Sequence, residues 1–224
     1  MTLRVGAWNI EGIIKHLPSL NELLTVTEKE VAIMCLSELK CDVADTITAD
    51  NYFEEYALTP STTDMYTKDS TATMLKPDLF KFSKTVDIES PRIVLHRIKD
   101  KKVNLLVGSV YMPTNGDNAA QQKYRKMATL LIGEVTKQRE DSKVVLMGDF
   151  NIQKKHSPQR KDVFNRIATD LGLVINTPDT YTNTDYKGTK STLDYILCSP
   201  EIKTSKIDVY HLETAQHILL YLQQ

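Results

Sequence analysis

Short apolar runs separated by polar turns dominate the chain, and most are too short and too β-branched to be helices. Leu3, Val5 and Ala7 alternate and predict a first strand. Val31 to Ser37 (VAIMCLS) and the start of VVLMGDFN (Val144 to Asn151) have no polar face, which is the pattern of strands buried on both sides. Ile93 to Ile98 and Val103 to Tyr111 predict two strands joined by the turn Lys99-Asp100-Lys101-Lys102. Ile207 to Leu212 and His217 to Leu222 predict the last two, and Thr180 to Leu197 predicts a hairpin turning near Lys187-Gly188. Helical spacing occurs in three places. Pro18 to Thr27 puts Leu20, Leu23 and Leu24 on one face; Asp117 or Asn118 caps a helix reaching about Gln138; Asp162 to Leu171 stops at Gly172. Residues 41–80 read as irregular, with short strand-like pieces. Strands outnumber helices, and each long helix is flanked by strands. The expected fold is α/β, a single domain over residues 1–224: a four-layer α/β sandwich of two mixed β-sheets packed together with helices outside.

Composition narrows the picture. With 28 Lys and Arg against 29 Asp and Glu, the net charge is −1, so attraction to nucleic acid must come from local patches or from metal ions. One basic patch, Lys154, Lys155, His156, Arg160 and Lys161, follows GDFN directly. No apolar run is long enough to cross a membrane, and the first ten residues lack the order of a signal peptide. The odd number of cysteines, 3, is simplest as reduced thiols, so a nuclear or cytoplasmic location is expected. Neither GxGxxG nor GxxxxGK[ST] is present.

Several strands end in polar residues of one chemical kind. The first leads to Asn9 and Glu11, the second to Glu38, Val103 to Tyr111 to its own Tyr111, and VVLM to Asp149 and Asn151. Asp194 sits inside an otherwise apolar strand, and His217 begins the last one. If these ends converge, carboxylates such as Glu11 and Glu38 suit Mg²⁺, which prefers oxygen ligands and keeps several waters. Asn9 and Asn151 can donate to phosphate oxygens without adding charge. Asp194 can orient His217, and Asp149 can activate a water or protonate a leaving oxygen. No serine or cysteine stands in a nucleophile motif, which favours direct attack by water.

Read in order, WNIEG (Trp8 to Gly12), SE (Ser37, Glu38), YMPTN (Tyr111 to Asn115), GDFN (Gly148 to Asn151), LDYIL (Leu193 to Leu197) and a final histidine resemble the endonuclease/exonuclease/phosphatase superfamily. The resemblance implies a metal-dependent endonuclease using Mg²⁺, or Mn²⁺, on double-stranded DNA. It implies Glu38 as principal metal ligand with Glu11 and Asn9 near it, Asn9, Tyr111 and Asn151 on the scissile phosphate, Asp149 as acid/base and Asp194 paired with His217. Thr114 or Asn115 takes a further phosphate-contacting place. The match looks closest to the apurinic/apyrimidinic-like endonuclease domains of non-LTR retrotransposons, because TYTNTDYKGTKSTLDYIL (Thr180 to Leu197) has their hairpin pattern. That implies nicking of target DNA for integration, with Tyr186, Lys187 and Lys190 of the hairpin and Lys154 and Lys155 against the DNA. It also implies a monomeric unit of a longer chain carrying a reverse transcriptase, with no membrane partner. One departure is plain: Gln216 stands where the family's Ser-Asp-His has aspartate, and an uncharged glutamine is a poorer metal ligand, so the alternatives are an abasic-site repair endonuclease or other phosphodiesterase of the superfamily, or a catalytically weakened nucleic-acid-binding domain.

Overall fold

A computed structural model of the chain describes all residues except 1, 27–30, 62–66, 115, 153–157, 185–186, 213–214 and 224, and side chains elsewhere except at 2, 25, 26, 43, 46, 205, 206, 210–212 and 215–223. The order is β1 (Thr2–Asn9), α1 (Ile13–Val26), β2 (Ile33–Ser37), α2 (Val43–Tyr52), β3 (Ala57–Pro60), β4 (Thr71–Leu75), α3 (Pro77–Phe80), β5 (Ser83–Val86), β6 (Ile93–Lys99) and β7 (Asn104–Tyr111). It continues with α4 (Asn118–Gln138), β8 (Lys143–Asp149), α5 (Pro158–Leu171), β9 (Val174–Asn176), β10 (Asn183–Thr184), β11 (Lys190–Ser191), β12 (Asp194–Cys198), β13 (Lys203–Leu212) and β14 (Ala215–Gln223).

Two six-stranded mixed sheets form, ordered β13-β14-β1-β2-β4-β3 and β5-β6-β7-β8-β12-β9. Strand alternation divides their side chains among three apolar clusters. Leu3, Val5, Ala7, Ile33 and Cys35 of the first sheet meet Leu105, Val107, Val145 and Met147 of the second between the sheets. Trp8, Ile10, Met34 and Leu36 point the other way, onto Leu17, Leu20, Leu24, Ala49 and Phe53 of α1 and its neighbours. Leu106, Val110, Val144 and Leu146 pack on Tyr124, Leu131, Val135, Phe164 and Ile167 of α4 and α5. This is the expected four-layer sandwich. Among the described residues no helix is long and apolar enough to cross a membrane.

Four local readings are corrected. The first helix begins five residues early, at Ile13, and carries Pro18 inside it. Buried Ile13 and Leu17 extend its apolar face, while Pro18 is exposed, so the carbonyl it leaves unbonded can be hydrated. Residues 41–80 are not mainly irregular: they hold α2, β3, β4 and α3. A capping box announces α2, with the Asp45 amide donating to Asp42 at 2.9 Å and the Asp42 amide to Asp45 at 3.3 Å. The Thr180 to Leu197 hairpin is confined to the two-residue β10 and β11; Leu193 follows it, and β12 belongs to the main sheet. Asp194 therefore starts β12 rather than lying within it.

The topology decides where the polar ends meet. β1 and β2 are parallel, as are β7 and β8, while β12 runs antiparallel to β8 with Asp194 opposite Asp149. The C-terminal ends of four strands and the N-terminal end of a fifth thus fall at one end of the sandwich.

Candidate active site

At that end Asn9 reaches across from one sheet to the other. Its Nδ2 donates to Glu38 Oε1 at 2.9 Å and to Asp149 Oδ2 at 3.0 Å. Two carboxylate acceptors fix the amide's orientation, so Oδ1 faces away from them; it is buried without a hydrogen-bond partner among the described residues. Tyr111 donates its hydroxyl to the same Glu38 Oε1 at 2.8 Å. Trp8, one residue before Asn9, points into the opposite cluster beside the His16 ring and anchors the end of β1.

Three of these strand ends leave regular geometry at once. Glu11, Glu38 and Asn151 have φ of 49°, 54° and 49°. Asparagine tolerates this left-handed region, whereas glutamate is strained in it by roughly 1–2 kcal/mol. The strain at Glu38 is held by its neighbours, with Gly12 donating its amide to the Glu38 carbonyl at 2.8 Å and Leu39 donating to the Ser70 carbonyl at 3.1 Å. Gly148 is required by contact. Its φ is 134°, and a Cβ there would lie 2.2 Å from the Val110 carbonyl oxygen. That approach lets β8 turn so that Asp149 faces the site while Phe150 enters the core.

Asp149 is 2% exposed. Its Oδ1 accepts the Asn151 amide at 2.7 Å, and Asn151 spends one side-chain hydrogen on the Met112 carbonyl at 2.8 Å. Asp194, also buried, has Oδ1 without a partner among the described residues. Burial first, and then the neighbouring Asp194 charge, raise the Asp149 carboxyl well above the usual range. Burial pushes Asp194 up to about 6, with the Thr182 hydroxyl opposing it. The two behave as one coupled pair able to hold a proton. Glu38 is the opposite case. Burial would raise it, but hydrogen bonds from Asn9, Tyr111 and Lys40 outweigh that and hold it below the ordinary range, as a carboxylate. The Tyr111 hydroxyl is pushed up by burial and by Glu38, so it remains a donor.

The structure thus brings together Asn9, Glu38, Tyr111, Asp149, Asn151 and Asp194. Glu11 lies beside Glu38 along the backbone, but its side chain is exposed. Lys187 and Lys190 are exposed on the hairpin, with Lys190 Nζ 4.3 Å from the Tyr181 ring centroid. His217 pairs with Tyr210 in the backbone register of β13 and β14, and the side chains of His217 and Gln216 lie outside those described. Asn115, Lys154, Lys155, His156 and Tyr186 are outside the described residues.

Three participants escape a reading of motifs. Lys40 pairs with Glu38 Oε2 at 3.0 Å; its place two residues after Glu38 was a usable signal. Arg92 lies 4.5 Å over the Tyr111 ring and pairs with Asp69 at 2.6 Å, a relation made only by folding. Arg160 corrects the expected surface patch: it is 1% exposed and bonded to backbone carbonyls.

Among the described residues, no three His, Cys, Asp or Glu side chains converge closely enough to hold a metal alone. The residues that fit a hard cation are the ionised Glu38 and the orphaned, buried Asn9 Oδ1, both oxygen donors. So few protein ligands suit Mg²⁺, which completes its shell with water and phosphate oxygens.

The chain matches the Endonuclease/Exonuclease/phosphatase family over residues 6–215. Its fold is similar to that of a 3′-5′ exonuclease from Neisseria meningitidis (TM-score 0.75, 19% identity, 99% of each chain covered). It is also similar to an AP endonuclease from Archaeoglobus fulgidus (TM-score 0.75, 17% identity, 99% of this chain and 98% of that one). A third similar structure is D. rerio TDP2 complexed with single-strand DNA product (TM-score 0.69, 14% identity, 100% and 99% covered). No curated protein matches the chain in sequence.

Proposed function

The chain belongs to the endonuclease/exonuclease/phosphatase family, and on that premise we propose that it is a Mg²⁺-dependent DNA endonuclease that cleaves a phosphodiester bond by direct attack of water. The observation that carries this reading is the Asn9 bridge, which ties Glu38, its pKa lowered, to a buried Asp149, its pKa raised, across the two sheets. Ionised and protonatable carboxylates side by side are the pairing that phosphodiester hydrolysis needs. Glu38 and Asn9 Oδ1, with Glu11 alongside, would hold the cation, which neutralises charge on the phosphoryl oxygens. When protonated, Asp149 gives its proton to the leaving oxygen; when ionised, it takes one from the attacking water. Tyr111 and the second amide hydrogen of Asn151 bind the phosphate. Asp194, whose Oδ1 has no partner among the described residues, orients His217.

The hairpin of β10 and β11, with Lys187 and Lys190 exposed, supports a duplex substrate, as does the basic sequence at Lys154 and Lys155. The hairpin motif supports the finer reading: nicking of target DNA for retrotransposon integration, in partnership with a reverse transcriptase. The test is conversion of supercoiled plasmid to nicked circles with Mg²⁺. Activity should vanish with EDTA and in Asp149→Asn, and its absence in the folded, Mg²⁺-loaded protein overturns the reading. The resemblance to AP endonucleases supports a second reading, repair of abasic sites. An oligonucleotide duplex with one abasic site, cut far faster than the intact duplex, would favour it.

A further inference from the structure

Arg160 lies where a cation is disfavoured twice. It is 1% exposed, and it occupies the first turn of α5, where the helix dipole repels positive charge. Burial accordingly lowers its pKa. What offsets this is its set of acceptors. Nε donates to the Asn151 carbonyl at 3.2 Å, Nη1 to the Thr114 carbonyl at 3.3 Å, and Nη2 to the Pro113 carbonyl. The guanidinium lies 4.0 Å over the Tyr124 ring, and Tyr124 itself donates to the Phe150 carbonyl at 3.0 Å. Two of these carbonyls follow β7 and one follows β8. Among the described residues none of the three has a backbone partner, and the guanidinium fork satisfies them together.

We propose that Arg160 is a positioning residue whose fork locks the segment after β7 to the segment after β8, holding Tyr111 and Asn151 in register with Asp149. It touches no reacting atom; it acts through the loops that carry those groups. Where it bears on turnover, the inference rests on the phosphodiesterase reading above.

The test compares Arg160→Lys, Arg160→Met and Arg139→Met. Arg139, at the end of α4, also donates to a backbone carbonyl, that of Leu171 at 2.7 Å, but at the far end of α5 from Arg160, so it controls for structural loss alone. Both Arg160 variants should lower kcat about 100-fold with KM changed less than about threefold, because a lysine keeps the charge but gathers its donors on one nitrogen and cannot reproduce the fork that spans the three carbonyls. Arg139→Met should leave kcat unchanged. In hydrogen exchange, the amides of Met112 and Asn151 should exchange about tenfold faster in Arg160→Lys, while that of Ser199, bonded to Val144 on the same sheet, should not change. Arg160→Lys with kcat within about threefold of wild type, or equal losses in Arg160→Met and Arg139→Met, overturns the proposal. If wild type cleaves no phosphodiester, the functional reading fails by itself and the exchange rates decide the role of Arg160. Should Arg160→Met not fold, Arg160→Lys carries the comparison, since it keeps the charge and most of the volume.

Discussion

Asp149 and Asp194 form a buried carboxyl pair on adjacent strands, and at most one charge is comfortable there. Both pKa values are raised in the fold, so the folded chain holds protons more tightly than the unfolded one. The stability this contributes is fully present below the unfolded carboxylate value near 4 and is lost as pH rises through about 6. In metal-free protein, Tm should therefore fall over that window, and Asp194→Asn should flatten the fall; an unchanged slope in the variant would contradict the pairing. Tyr111→Phe removes one donor to Glu38 and leaves the ring under Arg92. It should cost about 1 kcal/mol of stability in urea unfolding and at least tenfold in kcat, a larger kinetic than structural effect.

At the scale of elements, the site depends on how strands stop. β8 can deliver Asp149 only because Gly148 passes the Val110 carbonyl at a distance no Cβ allows. Gly148→Ala should destabilise by about 3 kcal/mol or more and lower the urea midpoint without a change in m. Much of the layout was legible at this scale. The continuous apolar runs of β2 and β8 and the capped α4 stand where periodicity puts them. What was not legible has a physical reason in each case. α2 has a weak apolar face, so its capping box was the only clear signal, and α1 runs through a proline because tertiary burial of Ile13 and Leu17 outweighs propensity. Arg160 read as part of a surface patch because nothing in its neighbours reveals that Pro113, Thr114 and Asn151 lie around it.

At the scale of the whole molecule, a net charge of −1 gives no overall attraction to a polyanion, so the proposed DNA binding depends on local basic residues. Duplex binding in Ca²⁺, measured across salt concentrations, should weaken with Lys187→Ala and Lys190→Ala. The log–log salt slope should shrink by about 1 for each lysine that neutralises a phosphate. Neither change should reduce kcat at saturating DNA. What the amino-acid sequence determined alone was the alphabet of the site and its attachment to strand ends: Asn9, Glu38, Tyr111, Asp149 and Asp194 each adjoin an apolar run, and period-two alternation turns a polar residue away from the face its neighbour occupies. The tertiary structure decided which ends meet, because Glu38 and Asp149 sit on different sheets and come together only through the sandwich. It also decided the charge states. Burial and hydrogen bonding lower the pKa of Glu38 and raise that of Asp149, and the sequence assigns the same chemistry to both.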